Sequence, residues 1–117
     1  MEVKYGVMVQ MLGEYPRIKV LEFFLIYDWA DYSKSYVAKE TEVSRATLEP
    51  IWNELEEEGI IVKTRTIGRA EMFKLDKNNR TAQVLQNFLD SLASMRADEE
   101  EERFKQKITA KKPKTRH

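Results

Sequence analysis

A chain of 117 residues with 42% hydrophobic content holds enough apolar side chain for one compact core and not for two. It has no cysteine and a single histidine, His117, which excludes disulfides, thiolate metal sites and cysteine nucleophiles and leaves imidazole base chemistry and a histidine-rich zinc site without residues. The formal net charge is zero, yet unevenly spread: residues 1–97 carry 13 Lys/Arg and 15 Asp/Glu, and residues 98–117 carry 7 and 5, the acids Asp98 to Glu102 first and the bases Arg103 to Arg116 after them.

Residues 3–12 are apolar (Val3, Tyr5, Val7, Met8, Val9, Met11, Leu12) and interrupted by Gly6. A run this short suits a strand or a helix equally, and it is too apolar to stay solvated, so it packs on this chain or on a partner. A helix is predicted from Pro16 to about Tyr27. Proline suits a first helical position, and Ile18, Leu21, Phe24 and Leu25 recur at three- and four-residue spacing, with Phe23, Ile26 and Tyr27 widening the stripe. Asp28 to Tyr32 connects, with Tyr32 in a very short strand. Ser33 caps a second helix over 34–41, Thr41-Glu42-Val43 turns, and Ser44 can cap a third that continues to Glu58, where Gly59 stops it.

Ile60 to Thr66 reads as a strand rich in β-branched residues, Ile67-Gly68-Arg69 as a turn, and Ala70 to Leu75 as the returning strand. Asp76-Lys77-Asn78-Asn79 ends it. A last helix begins near Arg80 or Thr81 and runs to about Met95 or further, with Val84, Leu85, Phe88, Leu89, Leu92 and Met95 along its stripe. Beyond Asp98 apolar residues nearly vanish, so residues 98–117 are expected to form a charged, disordered tail. No apolar run approaches the roughly 18 residues of a membrane span. Met1 to Tyr5 lacks the layout of a signal peptide, and a cytoplasmic protein is expected.

Within residues 34–52, Ala38, Val43, Ser44, Leu48 and Ile51 fall on the spacing of a helix-turn-helix. The stretch Val37-Ala38-Lys39-Glu40-Thr41-Glu42-Val43-Ser44-Arg45-Ala46-Thr47-Leu48, followed by Leu55-Glu56-Glu57-Glu58-Gly59-Ile60-Ile61 and the hairpin, resembles the winged helix-turn-helix transcriptional regulators of bacteria and archaea, a group that includes the MarR-like and ArsR-like families. The fold this implies is mainly α with a small β-hairpin wing, a winged helix-turn-helix with an additional C-terminal helix. Residues 1–97 would form the DNA-binding domain, with dimerisation through about 80–97. The implied partner is double-stranded DNA, the implied state a homodimer, and the implied role regulation rather than catalysis, with no cofactor, no metal and no membrane. A weakly acidic body does not oppose this, because only charges within about a Debye length of the phosphates matter.

The resemblance puts a recognition helix in the major groove and the wing on the neighbouring backbone or minor groove. Ser44 and Thr47 would then offer hydroxyls and amides to a phosphate, and Arg45 would read guanine or bind phosphate. Glu49, Pro50 and Asn53 would face base edges. Lys63, Arg65 and Arg69 would make the wing basic around the Gly68 turn, and Lys34 and Lys39 would clamp phosphates from the second helix. The apolar stripe of the last helix, Val84, Leu85, Phe88, Leu89, Leu92 and Met95, either folds back on this chain or meets the same helix of a second copy; the second is favoured, because two half-sites call for a dimer.

Two positions depart from the pattern. Glu42 stands where glycine is common, so it adopts an unusual φ or the turn differs. Pro50 lies inside the third helix, which either starts late, with Thr47 as N-cap, or kinks at the Ala46 carbonyl; the late start is favoured. A protein-interaction module on the same fold is the alternative reading. An organic effector in a dimer cleft is neither indicated nor opposed by the residues.

Overall fold

The computed structural model describes residues 5–111, with side chains through residue 108. Seven elements follow in chain order: α1 (Val7–Leu12), α2 (Pro16–Ile26), α3 (Lys34–Thr41), α4 (Arg45–Glu57), β1 (Ile61–Ile67), β2 (Ala70–Leu75) and α5 (Arg80–Lys111). They form a winged helix-turn-helix with a flanking short helix and a long C-terminal helix. Among the described residues no helix is long and apolar enough to cross a membrane.

The ambiguous N-terminal run is a helix. Its Met8 and Val9 are buried on this chain, and its amino end is held by a side chain from α2. Glu22, buried to 3% exposure, accepts from the amides of Gly6 (3.0 Å), Met8 (2.8 Å) and Val9 (3.2 Å). A single carboxyl group thus satisfies three donors that a helix start leaves open. Pro16 takes the first position of α2, which buries Val20, Phe23, Phe24 and Leu25.

Ser33 and Ser44 cap α3 and α4 as expected, accepting from the amides of Tyr36 (3.2 Å) and Thr47 (3.2 Å). The turn between these helices uses a left-handed residue. Glu42 takes φ 58° and ψ 39°, and the Val43 amide reaches back to the Ala38 carbonyl at 3.1 Å. The end of α4 repeats the motif with glycine: Gly59 has φ 75°, and the Ile60 amide reaches the Leu55 carbonyl at 2.9 Å. Val43, Leu48, Ile51, Trp52 and Leu55 are all buried. Trp52 sits at the centre, edge-on to Phe24 (centroids 5.4 Å apart) and to Phe73 of β2 (5.1 Å), so the core joins α2, α4 and the wing.

The favoured late start of α4 is corrected. The helix begins at Arg45 and runs through Pro50. The Ser44 cap secures the first turn, and the buried Leu48, Ile51, Trp52 and Leu55 outweigh the hydrogen bond that Pro50 cannot donate to the Ala46 carbonyl.

β1 and β2 pair antiparallel from Ile61↔Leu75 to Ile67↔Ala70, so Ile67 belongs to the strand and the loop is only Gly68-Arg69. Gly68 has φ 63°, the conformation for which a two-residue hairpin loop selects glycine at its first position. The register shifts between Lys63 and Arg65, leaving Thr64 as a bulge. Tyr32 forms a bridge to Phe73, a one-residue third strand that ties the start of α3 to the wing.

The last helix is longer than its apolar stripe predicts. It extends well past Met95 to Lys111, so residues 98–111, expected to be disordered, continue it. The charged block that removes apolar residues also supplies helix-compatible pairs such as Glu101–Lys105 at 3.7 Å. The expected tail from 112 to 117 lies outside the described residues.

Candidate nucleic-acid interface

The bridge between Tyr32 and Phe73 sets the first turn of α3 beside β2. The turn at Val43 then brings the amino end of α4 beside it. Between these helix starts and the wing lies an open cleft of about 390 Å³, lined by Ser33, Lys34, Ser35, Arg45, Arg69, Ala70, Glu71 and Phe73. Arg45, first residue of α4, and Arg69, in the wing turn, therefore face one cleft, with Lys34, first residue of α3, on its wall. Two helix amino ends add partial positive charge to the same region. The acidic end of α4, Glu56 to Glu58, is roughly 16 Å further along the helix axis, about two Debye lengths at physiological salt.

The cations are not bare. Glu49, one turn after Arg45, receives Lys34 Nζ at 3.1 and 3.4 Å and Arg45 Nη2 at 3.4 Å. The Lys34 hydrogen bond, then the Arg45 one, holds the Glu49 carboxyl below the usual glutamate range. Arg45 Nη1 also donates to Ser35 Oγ at 2.9 Å. Glu49, expected to face base edges, thus lies between two of the expected DNA-contacting cations.

On the wing, Lys63 pairs with Glu71 at 3.3 Å. Arg65 reaches across β2 to Asp31, with Nε 2.9 Å from Oδ2 and Nη2 3.1 Å from Oδ1. Thr64, the bulge residue, donates to the same carboxylate. The Arg65 hydrogen bonds, then that of Thr64, hold the Asp31 carboxyl down to about 2. Arg65 therefore braces the wing against the loop before Tyr32 and does not line the cleft. Arg69 is exposed, and Gly68 beside it has open space around it.

Of the other expected contacts, Ser44 and Thr47 are engaged with each other. The Ser44 hydroxyl takes the Thr47 amide and donates to Thr47 Oγ1 at 3.0 Å, so the Ser44 proton is engaged within the cap while the exposed Thr47 hydroxyl, an acceptor here, keeps its own proton to donate. Pro50 and Asn53 are exposed on α4. Lys39 is exposed in the last turn of α3 and lies outside the cleft. Ser35, Asp31 and Glu71 enter the site without having been expected there. Only the Arg45–Glu49 spacing of four residues on one helix carried a local signal for any of these pairings.

The residues expected at a dimer interface divide into two groups. Leu89 and Leu92 are buried in this chain's own fold, and Leu85 packs against the core, because α5 folds back on α1 and α2. Val84 (66%), Phe88 (38%) and Met95 (50%) remain exposed. At 100° per residue they fall within about 40° of one another, a second apolar ridge beside the buried one.

No family model matches the chain, and no curated protein matches it. Among solved structures it is similar to the transcriptional repressor CouR bound to a 23-mer DNA duplex, with a TM-score of 0.55 and 17% identity over 88% of this chain and 74% of that one. A possible transcriptional regulator from Methanosarcina mazei Go1 superposes with a TM-score of 0.49 and 15% identity over 82% and 77%. The likeness to CouR is one of fold.

Proposed function

We propose that this chain is a winged helix-turn-helix transcriptional regulator, related to the MarR-like and ArsR-like group, that binds double-stranded DNA as a homodimer. The observation that carries the reading is the meeting of Arg45 and Arg69 in one open cleft, with Lys34 beside them. Three elements distant in sequence contribute one cation each to a concave surface between the start of a helix and the wing. The phosphate backbone is the ligand such a surface suits, because it offers closely spaced negative charge along a convex edge. The fold shared with CouR, a protein itself bound to a DNA duplex, supports the same reading.

In this mechanism Arg69 and Lys34 dock the protein by charge, and the exposed face of α4, with Arg45, Glu49 and Asn53, addresses base edges in the major groove. The role is that of a binding protein and not of an enzyme. The dimer would form on the Val84, Phe88 and Met95 ridge, with Met11 and Leu12 of α1 also exposed.

A second reading, a protein-interaction module, draws on the ion pairs: Lys34, Arg45, Lys63 and Arg65 each have an acidic partner within the chain. Fluorescence anisotropy on a random-sequence duplex pool separates the two. Binding that weakens in Arg69→Ala and further in the Arg45→Ala/Arg69→Ala double variant supports the regulator. An Arg69→Ala loss near-equal on all sequences, with a salt dependence flatter by roughly one unit of log–log slope, marks a phosphate contact. Undiminished binding by the double variant, or none by the parent chain, removes the reading.

A further inference from the structure

We infer that Glu49 is a built-in competitor for DNA phosphate, an internal anion that weakens backbone-only binding and so biases the surface toward duplexes offering it a base donor. The inference rests on the duplex-binding reading above and adds to it a source of discrimination.

The geometry is specific. Glu49 lies on α4 at the interval that brings it over Arg45, and its two carboxyl oxygens meet Lys34 Nζ from α3 at 3.1 and 3.4 Å. Oε2 is shared with Arg45 Nη2 at 3.4 Å. Of the three cations at the cleft, two are thus engaged by one carboxyl group, and Arg69 on the wing side has no ion-pair partner among the described residues. The Glu49 side chain is 43% exposed, so it is not a core ion pair that the fold requires; it is an accessible anion standing where a phosphate would pair.

Binding to DNA regardless of sequence is almost wholly phosphate neutralisation with release of counterions. A phosphate arriving at Lys34 and Arg45 meets the Glu49 carboxyl as a repulsive neighbour and as a rival for the same N–H donors. Every sequence bears that penalty. It is offset only where the base opposite α4 presents an amino donor to the carboxyl, and the cytosine N4 amino group in the major groove is the donor that suits Glu. The same carboxyl therefore subtracts from all complexes and adds back to some, which raises the ratio of specific to non-specific affinity without raising the affinity itself.

The test is Glu49→Gln, which keeps the shape and removes the charge, compared with the parent chain by anisotropy across a salt series. Two probes are used: a random-sequence duplex pool, and the best duplex obtained by in-vitro selection with the parent chain. The expected result on the random pool is roughly two- to tenfold tighter binding at low salt, with a log–log salt slope steeper by about one. The ratio of selected to random affinity falls. Weaker or unchanged binding to the random pool would mean that Glu49 only positions Lys34 and Arg45, which overturns the inference and leaves the regulator reading standing. Equal tightening on both probes overturns the discriminating role in the same way. Absence of duplex binding by both proteins overturns the inference and the regulator reading together.

Discussion

Arg65 on β1 and Asp31 in the loop before Tyr32 form a two-pronged ion pair, 2.9 and 3.1 Å, between residues 34 positions apart. The pair fixes the tilt of the wing relative to α3, because Asp31 immediately precedes the residue that bridges to Phe73. Asp31→Asn is expected to lower thermal stability at neutral pH and to loosen the wing, read as faster amide exchange in β1 and β2. The Asp31 carboxyl is held down to about 2 from an ordinary 3.8, so its contribution is fully present above about 4 and is lost as pH falls through about 2. The stability difference between parent and variant should therefore be flat at neutral pH and close below about pH 4. A difference that persisted unchanged to pH 2 would sink this account.

Glu22 predicts a different kind of loss. Its carboxyl oxygens serve three amides at the start of α1, in a buried setting where water cannot replace them. Glu22→Ala should destabilise the chain by about 2–4 kcal/mol, since each orphaned buried donor costs about 1–3 kcal/mol and the helix relaxes in part. Glu22→Gln, which keeps one acceptor oxygen, should cost about half as much. Urea denaturation measures both, and exchange at the Met8 and Val9 amides should rise first.

Asn79 links the end of α4 to the start of α5. Its side-chain amide donates to the Glu58 carbonyl at the end of α4, and its oxygen accepts the Ala82 amide at the start of α5, both at 2.9 Å. Asn79→Ala removes an N-cap and a C-terminal partner together, and about 1–2 kcal/mol of stability should go with them. Asn79→Asp keeps the cap and loses only the donor, so it should fall between. Equal stability of the alanine variant and the parent would refute the double role.

These contacts explain what was legible in the sequence and what was not. The helix-turn-helix was readable because its signals are local: serine caps at Ser33 and Ser44, the Leu48/Ile51/Leu55 stripe, glycine at Gly59. The wing was readable from β-branched residues flanking Gly68. By contrast Lys34–Glu49, Arg65–Asp31, Asn79–Glu58 and Glu22 with the α1 amides join polar residues 13 to 34 positions apart. Polar pairs at such separations leave no periodic trace, and the first two decide which basic residues remain available at the cleft. The full length of α5 was not legible for a related reason. An apolar stripe reports where a helix packs, whereas propagation beyond Met95 needs only good helix formers and pairs such as Glu101–Lys105.

Pro50 offers a test of how the core overrides local preference. It is exposed inside α4, with the Ala46 carbonyl deprived of its amide partner. Pro50→Ala should stabilise the chain by about 1–3 kcal/mol at unchanged denaturant sensitivity, the helix-interior cost of proline less what its rigidity takes from the unfolded chain. A destabilised variant would mean that the helix is shaped around the ring.

The homodimer reading stands or falls on α5. Leu89 and Leu92 face this chain's own core, while Val84, Phe88 and Met95 lie on an adjacent ridge open to solvent. Phe88→Glu changes only that ridge, so the monomer fold should keep its far-ultraviolet circular dichroism while the light-scattering mass drops from two chains to one. Leu89→Glu, by contrast, puts a charge where no partner waits and should unfold the chain outright. If the parent chain already scatters as a single copy, the ridge is no dimer interface, and recognition of two half-sites must come from monomers bound side by side.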